Sequence, residues 1–201
     1  MSLSQLRAQN RMWILSRFRL RMERYPREGD SVTVETWASP RTNGIRAVRH
    51  FLFLDANGDT LGRASSIFLM MDSNRKRPVR LPPVVLALAH HERPDSDEFE
   101  MPRLQPPENP GRQRVLAVGW RDLDANEHAN NVSYVEWALE ALPLEINRDR
   151  MLAQFDIEFL AEAFYGDQVI ADVEVTGSIC RHQLKNSAGS VVALAVSRWS
   201  P

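Results

Sequence analysis

Apolar and polar residues alternate with a period of two through most of the first 72 positions of this chain. Successive side chains of an extended backbone point to opposite faces, so the alternation predicts half-buried strands over 14–25, 31–38, 45–55 and 61–72. Glu28-Gly29-Asp30, Thr42-Asn43-Gly44 and Asn57-Gly58-Asp59 lie between them, and such residues favour tight turns. An antiparallel meander is the expected product. From His90 to Gly111 the pattern gives way to five prolines and many charges, which marks a linker. A short strand is then predicted over 115–119 and a helix over 129–142. Val132, Tyr134, Val135, Trp137, Ala138, Leu139, Ala141 and Leu142 make that helix apolar around most of its circumference. Such a helix needs covering on most sides, and a sheet wrapped around it would do so. Pro143 is expected to end it. Four further strands are predicted over 151–163, 167–176, 179–185 and 191–199.

The two halves line up. Gly29-Asp30 ahead of a Val-rich strand recurs as Gly166-Asp167, and the Asn57-Gly58 turn recurs as Ala188-Gly189. An internal duplication of a four-strand unit follows. The organisation expected is a first domain over 1–88, a Pro-rich linker over 89–112 and a second domain over 113–201. The second copy has a leading strand and helix that the first lacks. A curved sheet without its central helix would expose its apolar face. Either the chain is incomplete at its N-terminus, or another segment or subunit, a homodimer partner for example, covers that face.

The densest chemistry lies in Arg121-Asp-Leu-Asp-Ala-Asn-Glu-His-Ala-Asn-Asn-Val-Ser-Tyr-Val-Glu-Trp137. Asp124, Asn126 and His128 are spaced two apart, so extended backbone would set a carboxylate, an amide and an imidazole on one face. These groups can orient a substrate oxygen or water and accept a proton, the requirements of hydrolysis. Asn130 or Asn131 can cap the helix, whose first N–H groups suit a developing oxyanion. Read from spacing alone, a loop with an N-cap is the plainer account of the same residues. Along 151–163, Gln154, Asp156, Glu158 and Glu162 alternate with Phe155, Ile157, Phe159 and Ala161, and most of these polar side chains are expected to face solvent.

The pattern D-x-N-x-H-x-N-N-x-x-Y-x-x-W with its Asp-Leu-Asp lead-in resembles the second-half signature of the fatty acyl-ACP (acyl-carrier-protein) thioesterases, a family of tandem hotdog domains. Trp13-Ile-Leu-Ser-Arg17, Arg24-Tyr-Pro-Arg-Glu-Gly-Asp30, Val34-Glu-Thr-Trp37 and Arg63-Ala-Ser-Ser-Ile-Phe-Leu-Met-Met-Asp72 resemble the family's first domain. The resemblance runs from about Trp13 to Trp199. It implies an α+β double hotdog, the first copy lacking its N-terminal strand and helix, and hydrolysis of acyl-ACP to free fatty acid. It adds Glu162 to Asp124, Asn126 and His128 as catalytic residues, because Glu158-Phe-Leu-Ala-Glu162-Ala matches a segment holding an active-site glutamate. Many plant members follow that glutamate with cysteine, whereas this chain has Ala163. A cysteine nucleophile is impossible there, so Glu162 or Asp124 is expected to activate water while Asn126 and His128 position it or stabilise the oxyanion. Asn130, Asn131, Tyr134 and Trp137 are candidates for substrate contacts, although packing is the plainer role for Tyr134 and Trp137 on an apolar helix. In the family the first domain forms most of the acyl tunnel.

Composition narrows the remaining classes. A hydrophobic fraction of 43% is ordinary for a globular protein. No apolar run approaches the roughly 18 residues needed to cross a bilayer, and no signal-peptide core is present, so a cytoplasmic protein is expected. The single cysteine, Cys180, excludes an internal disulfide or a cysteine cluster, and it reads as an inert buried thiol. Three adjacent residues such as His90-His91-Glu92 cannot all face one ion, and Asn126 would be an odd companion to Asp124, His128 and Glu162 around zinc. No metal or other cofactor is expected. The net charge of −1 is unevenly divided: residues 1–88 carry 15 Lys and Arg against 7 Asp and Glu, and residues 89–201 carry 10 against 19. Arg17, Arg19 and Arg21 alternate with Phe18, Leu20 and Met22. An arginine face would attract an acidic partner such as acyl carrier protein. No nucleic-acid motif accompanies the basic half. An acyl-CoA thioesterase of the same fold and a non-catalytic acyl-thioester binding protein are the competing readings.

Overall fold

A computed structural model describes residues 6, 8–89 and 101–201. His90, His91 and Glu92 lie outside the described residues. The chain divides into two compact units, Met1–Met101 and Pro102–Pro201.

In the first unit β1 (Arg11–Met22), β2 (Thr33–Ala38), β3 (Arg46–Leu54) and β4 (Thr60–Asp72) form an antiparallel sheet in the order β2-β3-β4-β1, with β5 (Arg77–Pro78) on β4. The expected meander holds from β2 to β4 only. Residues 23–32 are too long a connection for a tight hairpin, and β1 pairs with β4 instead of β2. A bulge between Leu15 and Arg17 interrupts the β1–β4 register. The extra residue reverses the alternation, so Trp13 and Leu15 share a face with Phe18, Leu20 and Met22. That face is apolar, and at one end Met70, Leu6 and Leu81 are buried among Trp13, Ala47, Val79 and Val85. Residues 79–89 close over this end: Val79 N–H donates to Met70 O at 2.8 Å, Leu81 N–H donates to Gly44 O at 2.7 Å, and a single helical turn spans Pro83–Leu86.

Gly62 lies opposite Met22. A Cβ there would stand 2.5 Å from the Arg21 carbonyl oxygen and 2.6 Å from Met22 Sδ. Backbone cannot step aside as a side chain can, so Gly62→Ala is expected to cost about 1–3 kcal/mol of stability, read from urea unfolding. An unchanged midpoint would show that β1 and β4 lie further apart than this.

In the second unit β6 (Arg112–Ala117), β7 (Met151–Phe159), β8 (Gln168–Thr176), β9 (Ile179–Asn186) and β10 (Val191–Ser200) run antiparallel in the order β7-β10-β9-β8-β6. The helix Asn131–Glu140, between β6 and β7 in the chain, packs against β8 and β9. Tyr134, Trp137, Ala138, Ala141 and Leu142 are buried, while Val132, Glu136 and Glu140 are exposed. A sheet wrapped on one long helix is the hotdog arrangement. Pro143 does more than end that helix: it is the N-cap of a second short helix, Leu144–Asp149. Its fixed φ suits a helix start as well as a stop.

The polar side of β7 departs from the alternation reading. Gln154, Asp156 and Glu158 are buried instead of solvent-facing. Glu158 Oε1 accepts the Leu104 N–H at 3.1 Å, and the Gln154 amide donates to Asp156. Alternation tells which side a residue takes and is silent on what covers that side. The duplication extends to buried polar pairs: His50 Nδ1 lies 2.8 Å from Ser65 Oγ in the first unit, and His182 Nε2 lies 2.9 Å from Ser197 Oγ in the second. Cys180 is buried, which raises its pKa and keeps it a neutral thiol.

Candidate active site

The segment leading to the helix is built by short-range hydrogen bonds. Val118 N–H donates to Asp167 O at 2.9 Å, and Gly166 N–H returns to Val118 O at 3.0 Å. A 3₁₀ turn follows over Trp120–Asp122, and the buried Asp122 carboxylate accepts the Gly119 N–H at 2.7 Å. Asp124 then turns the chain. Its Oδ1 accepts the Asn126 N–H at 2.7 Å and the His128 N–H at 3.4 Å, its own N–H donates to His128 O at 2.8 Å, and its carbonyl takes the Glu127 N–H at 3.0 Å. Glu127 has φ of +63°.

The extended backbone expected over 124–128 is therefore replaced by a tight turn. An aspartate side chain reaches the N–H two residues ahead, and that local bond wins over an extended chain without a strand partner. Asp124 and His128 consequently face one another across the turn. Asn126 lies at its tip with Nδ2 3.4 Å from Asp124 Oδ2, and Asp124 and Asn126 are exposed.

The turn is joined to the chain after β7. Ala129 N–H donates to Ala163 O at 2.8 Å, and Tyr134 Oη donates to Ala161 O at 3.1 Å. Glu162 thus stands between two anchored carbonyls. Its Oε1 lies 3.1 Å from His128 Nδ1, and the imidazole meets Phe164 edge to face with centroids 5.1 Å apart. A carboxylate can only accept, so Nδ1 carries the proton in this contact and a neutral ring keeps Nε2 as acceptor. Both side chains are partly open to solvent, His128 at 30% and Glu162 at 43%. Burial pushes the Tyr134 phenol up to about 12, so it remains a neutral donor to Ala161.

Asn130 is the N-cap, its Oδ1 accepting the Val132 N–H at 3.0 Å, and Asn131 is the exposed first helical residue. Asn130 N–H also donates to Asp122 O at 2.6 Å. Losing a cap of this kind costs about 1 kcal/mol, so Asn130→Ala is expected to lower the unfolding free energy by that amount. An equal loss in Asn131→Ala would contradict the assignment. Tyr134 and Trp137 are buried, and their rings pack on each other with centroids 5.1 Å apart. Both sit in the core, in the packing role their place on an apolar helix suggested, and Tyr134 also fixes the Glu162 segment.

The arginine row of β1 is also corrected. Arg19 is 7% exposed, Arg17 is half-buried with Nη1 2.8 Å from Met101 O, and Arg21 alone is open. With Arg19 buried and Arg17 half-buried against the Met101 carbonyl, the three do not form a solvent-facing row. Sequence reading missed Asp122, although the Asp-Leu-Asp lead-in contains it. It also missed Trp120, Phe164 and Tyr165, which with Arg121, Leu123, Asp124 and Glu127 line an open depression of about 650 Å³. Among the described residues no three His, Cys, Asp or Glu side chains converge on a metal-binding geometry.

Residues 107–201 match the acyl-ACP thioesterase C-terminal domain, and residues 1–89 match the acyl-ACP thioesterase N-terminal domain. The chain belongs to the acyl-ACP thioesterase family. Over 204 residues it is 31% identical to dodecanoyl-[acyl-carrier-protein] hydrolase, chloroplastic, of Cinnamomum camphora, an alignment covering 94% of this chain and 53% of that relative. It is 30% identical to palmitoyl-acyl carrier protein thioesterase, chloroplastic, of Cuphea hookeriana, covering 94% and 49%. The chain thus spans about half the length of the curated relatives it matches. Among solved structures, the 12:0-ACP thioesterase from Umbellularia californica superposes with a TM-score of 0.88 at 27% identity, covering 98% of this chain and 78% of that one. An acyl-ACP thioesterase from Bacteroides thetaiotaomicron gives 0.87 at 21% identity, over 99% and 81%, which speaks for the fold alone. As an acyl-ACP thioesterase family member, the chain is an α+β double hotdog. No helix of its described residues is long and apolar enough to cross a membrane.

Proposed function

We propose that this chain hydrolyses the thioester of acyl-ACP, releasing free fatty acid, with the second unit supplying the chemistry and the first binding the acyl chain. The observation that carries the reading is the His128–Glu162 pair, 3.1 Å apart and anchored from both sides. Glu162 holds the Nδ1–H tautomer and stabilises the imidazolium that forms. Nε2 takes a proton from water as its oxygen attacks the thioester carbonyl. The tetrahedral intermediate then collapses, the C–S bond breaks, and the departing thiolate takes the proton back from the imidazolium.

Asp124 acts differently from the base the sequence allowed. Its carboxylate is engaged by the backbone of its own turn, so it positions His128. The Asn126 amide and the Asn131 N–H are donors for the developing oxyanion, since Val132 and Ser133 N–H groups are taken by Asn130. No cysteine adjoins Glu162, and Cys180 is buried, so water attacks directly.

Incubation with acyl-ACP is expected to yield fatty acid and carrier thiol in equal amounts, with no acyl adduct on the protein by intact mass during turnover. An acylated protein would contradict direct attack by water. Tight binding without either product would leave a non-catalytic acyl-thioester binding role.

A further inference from the structure

The depression beside Asp124 combines features that the hydrolytic pair does not require. Trp120 is 83% exposed, Tyr165 68% and Phe164 46%, an unusual cluster of large aromatic rings left in water on one face. Slack in the loops does not account for it. The Val118–Asp167 and Gly166–Val118 hydrogen bonds join the two walls, Asp122 fastens Gly119 ahead of Trp120, and Asp167 Oδ2 holds the Phe164 N–H at 2.8 Å. The rings are presented on a fixed frame, and Arg121, Asp124 and Glu127 line the same hollow.

The depression is open to solvent and carries three charged side chains, so it cannot enclose an alkyl chain, which needs apolar walls on all sides. It fits a slender ligand with flat amide groups along its length and one anionic end. Amide planes lie well on aromatic faces, and a guanidinium is the side chain best matched to phosphate. Asp124 and Glu127 would repel an anion, so within this lining only Arg121 can receive one.

We infer that this depression binds the phosphopantetheine arm of the thioester substrate, with Trp120 and Tyr165 against its amides and Arg121 at its phosphate. Asp124 is both part of the lining and the residue that turns the chain to His128. An arm seated here therefore delivers its thioester end to the loop that carries the imidazole. The inference rests on the thioesterase reading and deepens it by naming what holds the part of the substrate shared by every acyl chain length.

The test compares three esters of one fatty acid: acyl-4′-phosphopantetheine, acyl-pantetheine and the truncated acyl-N-acetylcysteamine. In Trp120→Ala, kcat/KM for the phosphopantetheine ester relative to the N-acetylcysteamine ester is expected to fall about tenfold, the loss of one aromatic contact. In Arg121→Ala the ratio of phosphopantetheine to pantetheine ester falls about tenfold, the loss of one charge-assisted contact. Thermal melting checks that both variants fold, which the exposure of Trp120 and Arg121 favours. Unchanged ratios in folded variants would overturn the subsite while leaving the hydrolase reading intact. Loss of turnover by the same factor on all three esters would also overturn it, since the residues would then act through the loop. No hydrolysis of any of the three esters while acyl-ACP is turned over would overturn the subsite, and no hydrolysis of acyl-ACP either would bring down the thioesterase reading with it.

Discussion

His128→Ala is expected to lower the turnover of acyl-ACP by about 10²–10⁴-fold, the usual contribution of a positioned general base. The substitution removes the proton acceptor and leaves the turn around it, because Asp124 holds the His128 backbone through its main chain. Glu162→Gln preserves size and keeps an oxygen for Nδ1, yet removes the charge that stabilises the imidazolium. Its expected loss is about 10²-fold in kcat with little change in KM. The two residues act as a unit, so the double variant should be scarcely slower than His128→Ala alone. Asp124→Ala should also lose about 10²-fold, through misplacement of the imidazole. Steady-state thiol release decides these outcomes. Full turnover in both His128→Ala and Glu162→Gln would remove the basis for placing the chemistry in this pair.

The largest stability effect is expected from acid, through His182. Burial holds its imidazole neutral and pushes its pKa down to about 4, against an ordinary value of 6.5. The unfolded chain therefore takes up a proton that the folded chain refuses. The stability present above pH 6.5 is lost as the pH falls from 6.5 toward 4. A difference of that size corresponds to about 3 kcal/mol in total, a substantial part of what holds a domain together. Urea unfolding of the whole protein at intervals between pH 7.5 and pH 4 should show this fall. In His182→Phe the steepest part of the pH dependence should disappear, even though losing the bond to Ser197 Oγ lowers stability at neutral pH. An unaltered slope in that variant would place the titrating group elsewhere.

The strands were legible because alternation is a strong local signal, and all nine of those expected are present with ends shifted by a few residues. The helix was legible from its apolar circumference, and its cap could be narrowed to Asn130 or Asn131. What was hidden depends on partners distant in sequence. The bulge at Ser16 shows only as a change of parity between Trp13-Ile-Leu15 and Phe18-Arg-Leu20, and the pairing of β1 with β4 explains it. Gln154, Asp156 and Glu158 look like surface residues until a backbone donor at Leu104 meets one of them. Arg17 and Arg19 likewise read as a charged face and prove largely covered.

For the candidate site, residue types were legible and their geometry was not. Asp124, Asn126 and His128 at intervals of two suggested one face of a strand. In the structure the same aspartate makes the turn that ends extended conformation. The role of Glu162 came from family resemblance, and its link to His128 needs Tyr134, twenty-eight residues before it, to hold the Ala161 carbonyl. A motif states which groups meet, while the hydrogen bonds around it decide which of them is free to act on substrate.

The measurement that tests the central claim most directly is thiol release from matched acyl-ACP and acyl-CoA esters over several chain lengths, using this chain as it stands. Release from the carrier-protein ester with the higher kcat/KM is the expected result. Release from neither ester by folded protein would contradict hydrolysis by this chain, and equal or faster release from CoA would replace the carrier-protein substrate with the acyl-CoA reading.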